Sequence, residues 1–304
     1  MKKKIFLILF AAIAGTSVLF AEGTLIGELY YNLNTSKKTA TVTYQSMDEN
    51  YPDMTVVNIP ATVTYDGVTY TVTAVGQNAF KDCLNITSVT LPDGITDIAR
   101  FAFRMCGFTS LSIPKSLKTM AYDAFFGCDK ITSLTWNAVK CDDFEYASPW
   151  EYAGVGYSAT APIASVVFGE GVQRIPAYLF ARSEALSSVT IPNSVTSIGE
   201  SAFTECVNLS AIYNYGETPA NAYSDSFDGV NKSTCKLYVP MNSINLYKNA
   251  PVWKEFYLIS AIEDMQAIED AEADNVRSAK VIIDGKVYIN RGDKVFTLQG
   301  QEVK

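Results

Sequence analysis

The sequence predicts a β-rich α/β solenoid with short helical turns, an N-terminal antiparallel β cap and a small C-terminal β tail. A unit of about 23 residues recurs through the middle of the chain. The stretch before it alternates polar and apolar residues, and so does the last segment. A unit of about 23 residues is too small to bury its own apolar face, so neighbouring copies are expected to stack and share a core.

An Ala-Phe or Leu-Phe pair marks each copy of the unit. Phe103 follows Phe80 by 23 residues, Phe125 follows after 22 more, and Phe203 lies 23 residues after Phe180. A Cys or Ser stands three residues after each of these Phe residues. Short segments rich in β-branched residues come next, and several end at a proline, which cannot donate to a β ladder. These segments are therefore predicted to be strands, and the stretch around each Phe a single turn or a short helical arc.

The full motif is I-P-x-S-V-x-x-I-G-x-x-A-F-x-x-C-x-x-L, and it is clearest at 72–94, 172–194 and 195–214. It resembles the BspA-like leucine-rich-repeat family of bacterial surface proteins over about 60–260. The resemblance implies a leucine-rich-repeat solenoid. It also implies attachment to host proteins or to other cells.

The first residues have the pattern of a secretory signal peptide over 1–21. Three lysines are followed by an apolar run from Ile5 to Phe20, and Ala21 is a plausible last residue before cleavage. A transmembrane helix is the alternative, but no second charged flank follows closely. The prediction is an exported protein without a transmembrane anchor, at the cell surface or in the medium, with the periplasm left open.

The remaining chain divides into four predicted parts. Residues 22–70 form the cap, with a hairpin turn at Asp66-Gly67, and 71–260 form the solenoid. An amphipathic helix after Pro251 is expected to seal the far end. Residues 261–278 form an acidic linker, and 279–304 form a β tail of three strands that resembles tails of exported proteins. The sequence leaves open whether the tail is a sorting signal.

The repeat spacing fails once, because Phe180 lies 55 residues after Phe125. Residues 138–162 are therefore an insertion, or a degenerate copy that lost its Ala-Phe pair. Insertions in repeat proteins often lie on the binding face, and Tyr and Trp suit interfaces. The alternative is that these aromatic side chains fill the core where the pair is missing. The candidate ligand-binding residues are Phe144, Tyr146, Trp150, Tyr152 and Tyr157.

A second candidate surface is the set of outward positions on the predicted strands. Most are small and hydroxylic, which suits a flat binding face but also reflects simple β propensity and solubility. They are Ser88 and Thr90, Ser110 and Ser112, Ser133 and Thr135, Ser188 and Thr190, and Ala211 and Tyr213.

The composition argues against catalysis. The chain contains no His, which removes Ser-His-Asp and Cys-His catalysis and every His metal site. No Gly-rich phosphate loop is present. The pair Asp142-Asp143 could in principle serve a glycosidase, but adjacent carboxylates in a loop are usually only solvated. We therefore predict no enzyme activity, no cofactor and no metal.

Six cysteines occur in a chain that is predicted to be exported. Four share one repeat position: Cys83, Cys106, Cys128 and Cys206. Equivalent side chains in a stack point the same way, which favours a buried column of thiols over disulfides. Cys141 and Cys235 fall outside this position, and a bridge that involves either is left open.

The charge restricts the partners. The net charge is −8, and loss of the three lysines of the signal peptide would bring it to about −11. An acidic chain without a basic stripe is a poor candidate for nucleic acid. The leading prediction is a non-enzymatic exported module for protein binding and adhesion, with host extracellular or cell-surface proteins as partners. A surface carbohydrate-binding accessory protein and a structural envelope component are the alternatives, and the oligomeric state is left open.

Overall fold

The computed structural model describes residues 23–44, 51, 53–145, 147–154, 157–160, 162–262, 278–283, 286–291, 294–297 and 302–303. Side chains are described only within 23–150 and 162–262, with the same gaps. The predicted signal peptide and nearly all of the predicted acidic linker lie outside the described residues, so both remain predictions.

The chain begins with a mixed sheet. Its strands are β1 (Thr24–Ile26), β2 (Leu29–Asn34), β3 (Thr39–Thr43), β5 (Thr62–Tyr65) and β6 (Val68–Val75), while β4 (Val56–Asn58) lies apart. β1, β2 and β3 are antiparallel neighbours, and so are β5 and β6. The β5–β6 turn has φ of 47° at Asp66 and 74° at Gly67, as a tight hairpin requires. β3 and β6 are parallel, so the cap passes directly into the parallel order of the repeats.

The repeats supply fifteen further strands, two of which form a separate hairpin. They are β7 (Ser88–Thr90), β8 (Asp97–Ile98), β9 (Ser110–Ile113), β10 (Thr119–Met120), β11 (Ser133–Trp136), β12 (Glu151–Gly154), β13 (Tyr157–Thr160), β14 (Ser165–Phe168), β15 (Arg174–Ile175), β16 (Ser188–Ile191), β17 (Ser197–Ile198), β18 (Ala211–Asn214), β19 (Asn221–Ala222), β20 (Lys236–Val239) and β21 (Leu258–Ala261).

Two parallel ladders run along the solenoid. The long ladder joins β9, β11, β14, β16, β18, β20 and β21 without a break, with equivalent residues of successive copies paired. The short ladder consists of β6, β8 and β10, and resumes as the separate sheet β15, β17 and β19. The short ladder is therefore interrupted between β10 and β15, at the copy that contains residues 138–162 (the irregular copy).

The core is a column of aromatic rings between the two ladders. The ring centroids of Phe80, Phe103 and Phe125 are 5.3 and 5.2 Å apart, and the rings are nearly parallel. Phe203 stacks in the same way on Phe180, at 5.7 Å. All of these rings are buried. Hydrogen-bonded turns surround each Phe, so the predicted single turn is confirmed.

A column of thiols runs beside the rings. The Sγ atoms of Cys106, Cys128 and Cys206 each donate to the carbonyl oxygen of the Phe in the preceding copy, at 3.0–3.2 Å. Burial raises the pKa of Cys128 and Cys206 from 9.0 to about 12. All six cysteines, including Cys141 and Cys235, are buried and unpaired. The predicted buried column is confirmed, and each of these three thiols gives the Phe carbonyl a second donor beside the backbone N–H of the residue three positions further on.

The far end is closed by a compact segment rather than one helix. It consists of a 3₁₀ turn (Met241–Ser243), the helix α1 (Ile244–Asn249) and a second 3₁₀ turn (Trp253–Glu255) before β21. The predicted helix after Pro251 is therefore wrong. Val252 has a φ of 66°, and the residues after Phe256 leave the helical pattern because they pair with β20. The Trp253 indole donates to the Ala220 carbonyl at 2.8 Å, which fixes the closure.

The C-terminal residues form a four-stranded antiparallel sheet, one strand more than expected. Its strands are β22 (Ser278–Ile283), β23 (Lys286–Arg291), β24 (Lys294–Thr297) and β25 (Glu302–Val303). No helix in the described part of the chain has the length and apolar character that crossing a membrane requires.

Candidate functional site

The irregular copy is a degenerate repeat with a hairpin added. Trp150 lies between Phe125 and Phe180, with ring centroids 5.4 and 6.3 Å away, and thus occupies the place of the missing Phe. Ser148 and Pro149 directly precede Trp150, so Pro149 stands where most copies have the Ala of the Ala-Phe pair. The hairpin β12–β13 follows directly. The 55-residue gap therefore contains one complete turn of the solenoid plus the hairpin.

Residues 143–145 of this copy, the leaning segment, form no strand that pairs with β10. The N–H of Phe144 donates to the carbonyl of Ala177 in the following copy, at 3.2 Å. Asp143 accepts the N–H of Ala177 through Oδ1 at 2.6 Å, and its other carboxylate oxygen pairs with Arg174. These contacts hold Asp143 and Phe144 against the following copy, while the N–H of Asp142 still donates to the Lys118 carbonyl of the preceding copy at 2.8 Å. β10 is left as the last strand of its sheet.

A cleft of about 730 Å³ opens between β10 and this leaning segment. Its volume lies within the range of roughly 300–1,000 Å³ that is usual for ligand pockets. Apolar and aromatic groups form most of its lining, and carboxylates stand on one side. The lining residues are Thr119, Met120, Ala121, Tyr122, Asp142, Asp143, Phe144, Glu145 and Ala147.

One wall of the cleft is held by an arginine. Arg100 lies over the rings of both Tyr122 and Phe101, at 5.7 and 5.2 Å from their centroids. Its Nε donates to Oδ2 of the buried carboxylate of Asp123 at 2.8 Å. The hydrogen bond and the negative charge of Asp123 raise the pKa of Arg100, so the cation is permanent. Tyr122 is 53% exposed and so presents much of its ring to solvent.

The five predicted ligand-binding residues are distributed over two environments. Phe144 is buried and lines the cleft, whereas Trp150 is buried within the ring column. Tyr152 lies on β12 and Tyr157 on β13. Their side chains, and Tyr146 as a whole, are outside what the structure describes. Binding by this set therefore stays a prediction, and the sequence argument missed the cleft residues Met120 and Tyr122.

Most of the second candidate surface is the outward row of the long ladder, which is regular and accessible. Ser88 and Thr90 are the exception, because β7 pairs with β4 outside this ladder. Thr135, Val167, Thr190, Tyr213 and Tyr238 are neighbours in this row. The rings of Tyr213 and Tyr238 stack 5.1 Å apart and remain partly exposed. The row thus contains an aromatic pair before Ser260 on β21, and of this pair the sequence pointed only to Tyr213.

The described residues contain no group of three or more side chains that could hold a metal ion. Of the pair Asp142-Asp143, the second carboxylate is already engaged by Arg174 and the backbone of Ala177. The site has the features of a binding surface: an accessible cleft, an aromatic wall and unneutralised charge.

Comparison with known proteins agrees with this architecture. The family model for the BspA type leucine rich repeat region matches six copies, over 68–147 and 156–258, which is more than half of the chain. None of the curated proteins matches.

Three solved structures are similar. A leucine-rich repeat protein of T. pallidum is 20% identical, covers 66% of this chain and 86% of its own, and has a TM-score of 0.47. One from Bacteroides ovatus is 17% identical, with coverage of 73% and 80% and a TM-score of 0.23. A leucine rich cell surface protein from Faecalibacterium prausnitzii is 16% identical, with coverage of 81% and 97% and a TM-score of 0.23.

Proposed function

The chain belongs to the BspA-type leucine-rich repeat family, and from this premise we propose that it is an exported, non-enzymatic module for protein binding and adhesion. The observation that supports the proposal most is the unbroken long ladder, which presents one continuous outward row from β9 to β21. Solenoids recognise partners through extended surfaces of this kind. Host extracellular or cell-surface proteins are the proposed partners.

Export is supported by the signal-peptide pattern of residues 1–21, and we propose a position at the cell surface or in the medium, with the periplasm left open. The absence of His from the sequence, together with the lack of any grouped nucleophile and base, supports a role without catalysis.

We place ligand contact on the outward row and on the irregular copy. Phe144 and Trp150 are buried, so in this proposal they support the surface, and the hairpin with Tyr152 and Tyr157 presents it. This division follows the usual anatomy of interfaces, in which rigid aromatic groups anchor a patch that excludes water.

Carbohydrate binding is the second candidate. The stacked pair Tyr213 and Tyr238 favours it, because an aromatic ring beside small neighbours such as Thr190 and Ser260 can pack against the apolar face of a sugar. A protein with this function would act as an accessory that captures polysaccharide at the cell surface.

One experiment separates these functions. The full mature chain is tested against a panel of host extracellular proteins and against a glycan array, beside the variant Tyr213→Ala/Tyr238→Ala. Tyr257→Ala, at a residue that is 81% exposed, serves as a matched control. We expect binding to a protein that the double variant weakens and the control does not. Glycan binding alone would replace the proposal with the accessory function, and silence in both arrays would leave the structural envelope role.

A further inference from the structure

We infer that the cleft beside β10 accepts an extended basic segment of the partner, with a lysine or arginine side chain held near Tyr122, Asp142 and Glu145. This inference rests on the proposed protein-binding function and names the chemistry that one part of the surface recognises.

The cleft lies along the edge of β10, the last strand of its sheet, where the backbone has no neighbouring strand in the described part of the chain. In other copies, the carbonyl of the last residue of a short-ladder strand accepts an N–H from the next copy. Ala99 donates to Val75, Ala121 to Ile98 and Gly199 to Ile175, each at 2.9 Å. The equivalent carbonyl belongs to Met120. By the register that the bond from Asp142 to Lys118 sets, its donor would be the N–H of Glu145, and no backbone N–H among the described residues reaches it. An extended peptide can supply the missing donor, as in other cases of strand addition.

The floor of the cleft is apolar. Met120 and Phe144 are buried side chains that line the cleft, and Ala121 and Ala147 complete its apolar lining. Lysine and arginine have long methylene stems that pack well on such surfaces while the charged end stays near solvent. The ring of Tyr122 is 53% exposed and adds apolar area to the lining, although Arg100 already lies over it at 5.7 Å from the centroid.

The negative charge of the cleft lining also favours a basic ligand. Three carboxylates line the cleft, and only that of Asp143 is neutralised, by Arg174. Asp142 and Glu145 are exposed and have no ion pair among the described residues. Lys118 and Lys140 line the neighbouring hollow, which Asp142 also borders, but neither lines the cleft. Arg100 beside Tyr122 is paired with Asp123, so the carboxylates of Asp142 and Glu145 are the charges that favour a cation in the cleft.

The lining suits a basic side chain better than a neutral sugar. Apart from Tyr122, the one hydroxyl group on the described lining belongs to Thr119, and it already donates to Asp97. Carboxylates accept hydrogen bonds but do not donate them when ionised. A sugar would find acceptors with few fixed donors, whereas a guanidinium or ammonium group needs only acceptors.

The test uses the full mature chain and a labelled synthetic peptide that alternates Val and Arg, at low ionic strength. The cleft variant is Asp142→Asn/Glu145→Gln, which keeps the shape of both side chains and removes their charge. Asp129→Asn/Glu170→Gln is the matched control, because both residues are exposed, lie outside the cleft and give the same change in net charge. Two further peptides carry Glu in place of Arg, or methyl groups on the backbone nitrogens.

We expect the cleft variant to bind the Val-Arg peptide about tenfold more weakly than the wild type, and the control to change affinity less than about twofold. The Glu peptide should not bind, and backbone methylation should weaken binding because it removes the N–H that meets Met120. Equal loss in both double variants would overturn the inference, and so would binding of neutral oligosaccharides that the Val-Arg peptide cannot displace.

The same variants are then tested with any host protein that the wild type binds. If the partner binds the cleft variant as well as the wild type, the inference fails while the proposed function stands. If the wild type binds no protein, both fail together.

Discussion

The regular copies and the irregular copy all place an aromatic ring in the core column, but the rings of the regular copies stack more nearly parallel. In the regular copies Phe103 stacks on both neighbours at 5.2–5.3 Å with rings within 10° of parallel. In the irregular copy Trp150 is tilted by 36° against Phe125 and stands 6.3 Å from Phe180. The ring column continues through both regions, whereas the short hydrogen-bonded ladder stops at β10.

The difference teaches which part of the repeat is essential. Filling the core tolerates another aromatic residue, because burial of apolar area is not directional. Buried polar groups without a partner in the described structure occur in both regions: the indole Nε1 of Trp150 and the hydroxyl of Ser183 at and beside the irregular copy, and the indole Nε1 of Trp136 in a regular one. The leaning segment that opens the cleft is thus a local defect in an otherwise continuous core.

The largest expected effect is in a regular copy. Phe103→Ala should lower the free energy of unfolding by about 3–5 kcal/mol, because it empties a site between two stacked rings. Thermal or urea unfolding measures the change, and Phe103→Leu should cost clearly less. An unchanged melting temperature for the Ala variant would contradict the ring column.

Trp150→Ala should cost somewhat less, about 3 kcal/mol, because the contacts of this ring are looser. Trp150→Phe should stay within about 1 kcal/mol of the wild type, since the lost volume is offset by removal of an unpaired buried N–H. The same unfolding measurements are combined with partner binding. Lost affinity in Trp150→Ala at unchanged stability would show instead that this side chain contacts the ligand.

The thiol column predicts sensitivity to alkaline pH. Cys128 and Cys206 have a folded pKa of about 12 against 9.0 when unfolded, so above pH 9 the unfolded chain loses protons that the folded chain keeps. Stability is therefore complete below about pH 9 and falls by about 1.4 kcal/mol per pH unit for each thiol up to about pH 12. Urea titrations across this range measure the slope.

The control for this slope is Cys128→Ala/Cys206→Ala, which should be less stable at neutral pH but should show a shallower decline. In denatured, unreduced protein, alkylation followed by mass spectrometry should find both as free thiols. Disulfides among the column cysteines would contradict it.

The smallest expected effect is a gain beside the irregular copy. Ser183→Ala should raise stability by about 1 kcal/mol, because it removes a buried hydroxyl without a partner. Ser226→Ala is the matched change in a regular copy, and should lower stability by a similar amount because that hydroxyl donates to the Gly199 carbonyl at 2.9 Å. If both substitutions have the same sign, the contrast between the two regions is wrong.

Several features of the site lay within reach of the sequence. The spacing from Phe125 to Trp150 is 25 residues, close to the repeat length, and could have identified the degenerate copy. The cleft could not be found in this way. It depends on the bonds of Asp143 and Phe144 to Ala177 in the following copy, which residue types and spacing do not predict.

The sequence by itself determined the solenoid, its repeat length and most residues of its core, because nearly constant apolar spacing in the regular copies lets stacking bury these residues together. The sequence also predicted that four thiols lie in one column, although it did not show their hydrogen bonds. Only the tertiary structure decided where Trp150 packs, where the short ladder breaks and which side chains meet across the gap. Those outcomes depend on competition between nearly equivalent hydrogen bonds, which residue types and spacing do not resolve.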